Sequence, residues 1–291
     1  PGTSHPHMGS WAQHFLGRRN EMLPDSVIIA GGNPGPGWFD ATLAPMPVGD
    51  PAKGIRDMLP KIERKKFDHR VELARDFGYR FSKEFPHSDV AAYNDFYDET
   101  IKFFDDSTVE AFDLSKESQQ DRQRYGTSKF GQGCLLARRL IEHNVRYVEV
   151  QGLGGWDMHG GLESVPQRVG TLDQGMATLL TDLEQRGMLE ETMVVLCSEF
   201  GRTPINDRGG RDHNPGVFTV VMAGGGVTGG AVHGSSDEKG RKADQDPVGV
   251  PDFHASIAWA MGLPLDERTH GSGGRPFFVG NKGQPLTHLF T

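Results

Sequence analysis

The segment Met193-Val194-Val195-Leu196-Cys197 is apolar throughout, and Ser198-Glu199-Phe200-Gly201-Arg202 follows it at once. Side chains along a strand alternate between two faces, so a strand can be apolar at every position only where both faces are covered. That requirement points to a sheet sandwiched by helices. The flanking sequence agrees. Val145-Arg146-Tyr147-Val148-Glu149-Val150 and Val217-Phe218-Thr219-Val220-Val221-Met222 read as further strands, and Val27-Ile28-Ile29-Ala30 reads as one near the start. Between them, Phe130, Cys134, Ala137 and Ile141 recur at helical spacing, with Asn144 as a stop. Val165, Val169, Leu172, Met176, Leu179 and Leu183 share one helical face that ends at Gly187, and Pro251-Asp252 opens a helix that Gly262 and Pro264 close. Alternating helices and strands predict an α/β fold with a mostly parallel sheet.

The 291 residues are expected to form one α/β domain, 1–291, with a helical insertion over 57–128. The insertion is charged and carries Phe67, Phe77, Tyr79, Phe81, Phe85, Tyr93, Phe96, Tyr97, Phe103, Phe104 and Phe112, which are expected to be buried as core. Acidic residues outnumber basic ones, 39 to 31, and the basic ones are scattered, which argues against nucleic acid as a partner. No apolar run approaches the roughly 20 residues of a membrane span. Two cysteines, Cys134 and Cys197, are too few for a disulfide framework or a thiolate zinc site and read as small apolar residues.

Ligand-type residues gather just after or beside the strand segments. Asp157 and His159 stand two apart in Gly154-Gly155-Trp156-Asp157-Met158-His159, where an extended backbone puts both side chains on one side. A carboxylate with an imidazole suits zinc, manganese or iron, while calcium or magnesium needs a mainly oxygen set. Asp and His are also ordinary turn residues. Glu199 and Arg202 follow the most strand-like segment, either as an ion pair or as a ligand beside a guanidinium that forks onto a phosphate, sulfate or carboxylate. Arg211-Asp212-His213-Asn214 adds another Arg, acid and His. In open α/β sheets ligands bind beyond the carboxyl ends of strands, so Asp157, His159, Glu199 and His213 are expected to converge on one metal ion, with Arg202 and Arg211 as anion-binding catalytic residues. Ala223-Gly224-Gly225-Gly226-Val227-Thr228-Gly229-Gly230 contains a formal G-x-G-x-x-G, but the turn-rich sequence after it cannot open the helix a dinucleotide site needs.

The segments His5-Pro6-His7-Met8-Gly9-Ser10-Trp11, Leu135-Leu136-Ala137-Arg138-Arg139-Leu140-Ile141-Glu142, Gly154 to His159, Ser198-Glu199-Phe200-Gly201-Arg202-Thr203-Pro204, Gly210-Arg211-Asp212-His213-Asn214-Pro215 and Ala223 to Gly226 together resemble the bacterial family called domain of unknown function 1501. That family is grouped with the alkaline phosphatase and sulfatase superfamily. The resemblance implies a sulfatase-like fold and a periplasmic or secreted, metal-dependent hydrolase-like protein acting on phosphate or sulfate esters, including those of glycans. The alternative on the same scaffold is a non-catalytic protein that holds a sulfated or phosphorylated ligand. Asp157 and His159 resemble the superfamily's Asp…His ligand pair, and His213 resembles its later lone His. The strand ending at Gly201 resembles the one that carries its Ser-Asp-His-Gly motif, but Glu199 stands in place of Asp, Phe200 in place of the ligand His, and the Asp157–His159 spacing is shorter than usual. These departures predict one divalent ion (Zn, Mn, Ca or Mg) where the superfamily holds two. The resemblance also places a signal sequence and a loop with the first metal Asp and the nucleophile ahead of residue 1, which makes a separate N-terminal fragment a candidate partner.

Overall fold

Ser26–Ile29 form strand β1, and the side chains of Val27, Ile28 and Ile29 are no more than 1% exposed. All four of its residues are buried, so it is covered on both faces. It lies between β2 (Met46–Val48) and β3 (Tyr147–Val150) in a three-stranded parallel sheet of order β2-β1-β3, in register Val27↔Met46 and Ile29↔Val150. The structure, a computed structural model, describes residues 4–55, 62–87, 90, 93–94, 97–98, 101, 110–271 and 273–291. The described chain forms two compact units, the first from Pro1–Gln123, Gln132–Gly152 and Gly271–Gly274, the second from Arg124–Gly131, Leu153–His270 and Arg275–Thr291.

In the first unit, α1 (Met8–Leu16) is capped by the His7 side chain, which accepts the Gly9 N–H. Parallel neighbours need a crossover connection, and the chain between β1 and β3 supplies it with α2 (Arg64–Glu84), α3 (Gln119–Arg124) and α4 (Lys129–Glu142). Helix α4 lies against the sheet at Gly133, where a Cβ would come within 2.8 Å of Val150 Cγ1 and 3.3 Å of Ile29 Cγ2. Around that contact Cys134, Leu135, Leu136, Ala137 and Leu140 are buried. The expected stop at Asn144 is present: its φ is 64°, and Val145 N–H bonds back to the Leu140 carbonyl at 2.9 Å, as in a Schellman end. Arg138, buried on the same helix, pairs with Glu117 and, at 2.8 Å, with Glu142.

Between residues 62 and 128 the described residues contain helices and no strand. The burial expected for the aromatics does not hold. Phe112 is buried, but Phe77, Tyr79, Phe81, Phe85, Tyr93 and Tyr97 are exposed, and Val71 alone is buried on α2; Phe96, Phe103 and Phe104 lie outside the described residues. At 3.6 residues per turn Tyr79 lies about 200° around the helix from Phe77, whereas Phe77, Phe81 and Phe85, four residues apart, share one face, and that face is exposed.

The second unit contains α5 (Val165–Gln185), β4 (Val194–Leu196), β5 (Gly201–Arg202), β6 (His213–Asn214), β7 (Val221–Ala223), β8 (Ser235–Ser236), β9 (Ala243–Gln245), α6 (Val250–Ala260), β10 (Thr269–His270) and β11 (Pro276–Phe277). Every strand pair in it is antiparallel. The fold is therefore mixed α/β with a small parallel sheet, and the expectation that the sheet is mostly parallel is corrected. The cause lies in the connection. No helix stands between β4 and β7, only the β5–β6 ribbon and its loop, and without a crossover the chain returns antiparallel, Val195 opposite Met222. Val194–Leu196 are half-buried rather than covered on both faces. Helix α5 ends at Gly187 and α6 at Gly262, both at positive φ, as their sequence stops predict. Gly224, Gly225 and Gly226 hold three consecutive positive φ values, which lets the chain pass under residues 189–193, and no helix opens there. Tyr125 and Arg124 bond the buried Asp182 carboxylate at 2.9 and 2.6 Å. Among the described residues no helix is long and apolar enough to cross a membrane.

The two cysteines differ in kind. Burial pushes the Cys134 thiol up to about 12, whereas Cys197 is exposed just beyond β4. Because the thiolate is the reactive form, a disulfide reagent at pH 8 should titrate one thiol in the native protein and the second only on denaturation. Two fast equivalents in the native state would contradict the packing of α4.

Candidate metal and anion site

Three segments of the second unit build the site. The first is the loop 153–160, held by Arg168 in the first turn of α5. That guanidinium donates to the Gly154 carbonyl and, at 3.2 Å, to Ser164 Oγ, and a Cβ at Gly155 would run into it. The second is the ribbon β5–β6, where Arg202 lies directly opposite His213 and Gly201 opposite Asn214. Cross-strand neighbours share a face, so Arg202 and His213 project together. The third is the turn 203–211 that joins the two strands.

Asp157 is where the first two meet. Its Oδ1 lies 2.8 Å from Arg202 Nη1, 2.8 Å from His213 Nε2 and 3.0 Å from His159 Nε2. These donors, His213 foremost and then Arg202, lower the Asp157 pKa to about 2, so the carboxylate is ionised throughout the physiological range. His159 turns its other ring nitrogen, Nδ1, to Asp212 Oδ1 at 2.8 Å. The Asp212 carboxyl is in turn held below its ordinary range, chiefly by His159 and then by Asn206. One oxygen of each of two carboxylates thus fixes the two sides of a single imidazole.

Asn206 ties the turn to this arrangement. Its amide donates to Asp212 Oδ2 and to the His159 carbonyl, both at 3.1 Å, and its carbonyl oxygen accepts the N–H groups of Arg208 at 3.0 Å and Gly210 at 3.1 Å. Gly210 is buried against the His159 backbone, where any Cβ would collide with the carbonyl carbon. Arg211 N–H bonds the Met158 carbonyl at 2.9 Å and Gly161 N–H bonds the Arg208 carbonyl at 3.3 Å, stitching turn and loop together.

Asp157, His159 and His213 each offer a ligand atom within 4.8 Å of the others. Glu199 stands apart from that trio. Its carboxylate is exposed, and its Oε1 is 3.9 Å from Arg202 Nη2. Arg202 faces the site, whereas Arg211 spends one guanidinium nitrogen on the Thr203 carbonyl at 3.0 Å. Phe200 packs its ring on His213, with centroids 4.4 Å apart. Asn206 is missing from the sequence reading, and Asp212 is present there only as the acid of its motif, without a role of its own. Asp212 sits inside the Arg-Asp-His motif, but nothing in its spacing tells a residue that orients an imidazole from one on the surface, and Asn206 looks like any turn amide.

The turn's dependence on Gly210 is testable. Gly210→Ala should leave the helices intact by circular dichroism and remove hydrogen-exchange protection at the Arg211 and Gly161 amides. Unchanged protection there would mean that the two loops are held by something other than this close approach.

No curated protein and no solved structure matches the chain. A family model described as protein of unknown function (DUF1501) matches residues 2–290, so the chain belongs to that family.

Proposed function

We propose that the chain is a metal-dependent hydrolase-like protein acting on phosphate or sulfate esters, those of glycans included, in the periplasm or outside the cell. The observation that carries this reading is the convergence of Asp157, His159 and His213 beside Arg202. The donor set fits one borderline divalent ion. A tetrahedral ion with bonds of about 2.0–2.1 Å spaces its ligands about 3.3 Å apart, and Asp157 Oδ1 lies 2.8 and 3.0 Å from the two imidazole Nε2 atoms. Admitting an ion moves each imidazole outward from Asp157 by a few tenths of an ångström. With two nitrogens and one oxygen, zinc or manganese suits the trio better than calcium or magnesium. A divalent ion held there supplies Lewis acidity at an ester oxygen.

The protein's own groups do the rest. Asp157, already ionised, needs to lose no proton to become a ligand. Asp212 holds His159 by Nδ1 and so leaves Nε2 for the trio, the arrangement by which a second carboxylate fixes the tautomer and direction of a metal-bound imidazole. Arg202 gives up Asp157 to whatever neutralises it and turns its fork to the anionic oxygens of the ester, with Glu199 beside it limiting how far it swings. Arg211, between turn and ribbon, contributes positive charge to the same end. The ring of Phe200 fills the place of a second-ion ligand and has no lone pair to offer, which favours a single ion. The same ring favours the second reading, a binding protein that holds a sulfated or phosphorylated ligand without turning it over.

Metal analysis of the purified chain should find about one ion per molecule. Asp212→Ala should weaken its binding by about 10–100-fold, the usual effect of losing a carboxylate that orients a ligand. Phe200→His should add affinity for a second ion. Hydrolysis of aryl phosphate and aryl sulfate separates the two readings, because the enzyme loses turnover in His213→Ala while the binding protein never shows any. Two tight sites in the wild type, or none, would overturn the single-ion assignment.

A further inference from the structure

The ribbon β5–β6 has a second face. Alternation along each strand sends Arg202 and His213 to the Asp157 side and the flanking Thr203 and Asn214 to the other, while Asp212, just before β6, turns its carboxylate to His159. The pairing continues past the short strands, since Thr203 N–H bonds the Asp212 carbonyl and Asp212 N–H bonds Thr203 Oγ1, both at 3.0 Å. Beside the ribbon and its turn lies a cleft of about 460 Å³, wide open to solvent, lined by Thr203, Pro204, Ile205, Asn206, Asp207, Asp212, Asn214 and Arg241. That size falls in the range of roughly 300–1,000 Å³ typical of small-molecule sites.

The walls of the cleft differ in character. Arg241 is brought there by the turn between β8 and β9, which Asn214 ties to the ribbon by donating to the carbonyls of Gly240 and Arg241 at 3.2 and 3.1 Å. The Arg241 backbone N–H goes to Asp237 at 2.7 Å, and the residue is exposed, so its guanidinium stands at the rim, where among the described residues Asp237 attracts it at longer range. Asp207, also exposed, offers a carboxylate. Pro204 and the exposed Ile205 give an apolar patch between these charges. A guanidinium for an anionic group, a carboxylate for hydroxyls and an aliphatic surface for a C–H face are the three contacts that an acidic sugar unit presents together.

We propose that this cleft is a second small-molecule site, distinct from the Asp157–His159–His213 trio although Asp212 and Asn206, which hold His159, also line it, and that it takes a hydroxyl-rich ring carrying one anionic group. The site needs no ion and no turnover, so it stands or falls independently of the hydrolase reading.

Calorimetric titration of the metal-free full chain with glucose 6-sulfate, glucose and inorganic sulfate tests it. Glucose 6-sulfate should bind saturably and at least tenfold more tightly than either glucose or sulfate. Arg241→Ala should weaken it about tenfold or more, the scale of losing a charge-assisted hydrogen bond, and Ile205→Asp should weaken it as well, while His213→Ala leaves it within twofold. Both cleft residues are exposed, so their variants should fold, and native far-ultraviolet circular dichroism checks that they do. Any of three results would overturn the proposal: no saturable binding by the wild type, sulfate binding as tightly as the sugar sulfate, or loss of binding in His213→Ala with Arg241→Ala unaffected, which would place the anion at the trio instead.

Discussion

The candidate site depends on one imidazole that is held at both ring nitrogens. His159 meets Asp157 through Nε2 and Asp212 through Nδ1. A ring with two nitrogens fixed by two carboxylates has no rotation left to it, so its direction is set by wherever the chain places Asp212. That placement falls to the turn 203–211, where Asn206 satisfies two N–H groups of its own turn and grips both the Asp212 carboxylate and the His159 backbone. Each of these bonds is partly open to solvent, and hydrogen bonds of that kind are individually weak. Rigidity comes from their number and from the close approach at Gly210, which leaves the turn and the loop no room to slide past each other.

Much of this was legible in the sequence, and the parts that were not share a cause. The helix stops at Asn144, Gly187 and Gly262 could be read because the left-handed backbone they require is a local property of one residue. The buried strand β1 could be read because β-branched residues fill consecutive positions. Strand direction could not. Val194 to Leu196 and Val221 to Ala223 look the same whether parallel or antiparallel, and the answer rests on the absence of a helix in the 25 or so residues between them, a stretch rich in turn residues that the alternation rule passed over. The aromatics of α2 misled for a related reason: Phe77, Phe81 and Phe85 share one face of the helix, but a shared face does not say whether another element covers it.

The trio Asp157, His159 and His213 was legible as chemistry, because three ligand-type residues near strand segments are few enough to be matched. Glu199 was included on the same ground, yet its neighbour is Arg202. A strand end fixes where a residue's Cα lies, but the side chain goes to the nearest opposite charge, and that charge sits three residues along the same chain. Asp212 illustrates the converse. It holds its imidazole across 53 residues of sequence, and only the fold makes that contact visible.

Charged networks in the two units show why one reads as a site and the other as structure. In the first unit Arg138 is buried, and it and Arg139 share Glu117. Burial alone would raise the Glu117 pKa, but the two guanidiniums outweigh it and the carboxyl stays below its ordinary range. Nothing from solvent can reach that cluster without uncovering charge, and breaking a buried pair typically costs about 3–5 kcal/mol, so it can serve only to hold the helix. Around Asp157 the balance is reversed. The carboxylate is 62% exposed, with Arg202 and His213 hydrogen-bonded to its Oδ1 and His159 Nε2 3.0 Å from the same oxygen. On the reading proposed above, a cation at Asp157 takes the place of Arg202, and the guanidinium then meets the anion. The same exchange cannot happen at Phe200, where a ring packed on His213 offers neither charge nor lone pair. On the single-ion reading proposed above, Asp157 supplies the ligand, Phe200 supplies none, and Arg202 is the group left to meet an anion.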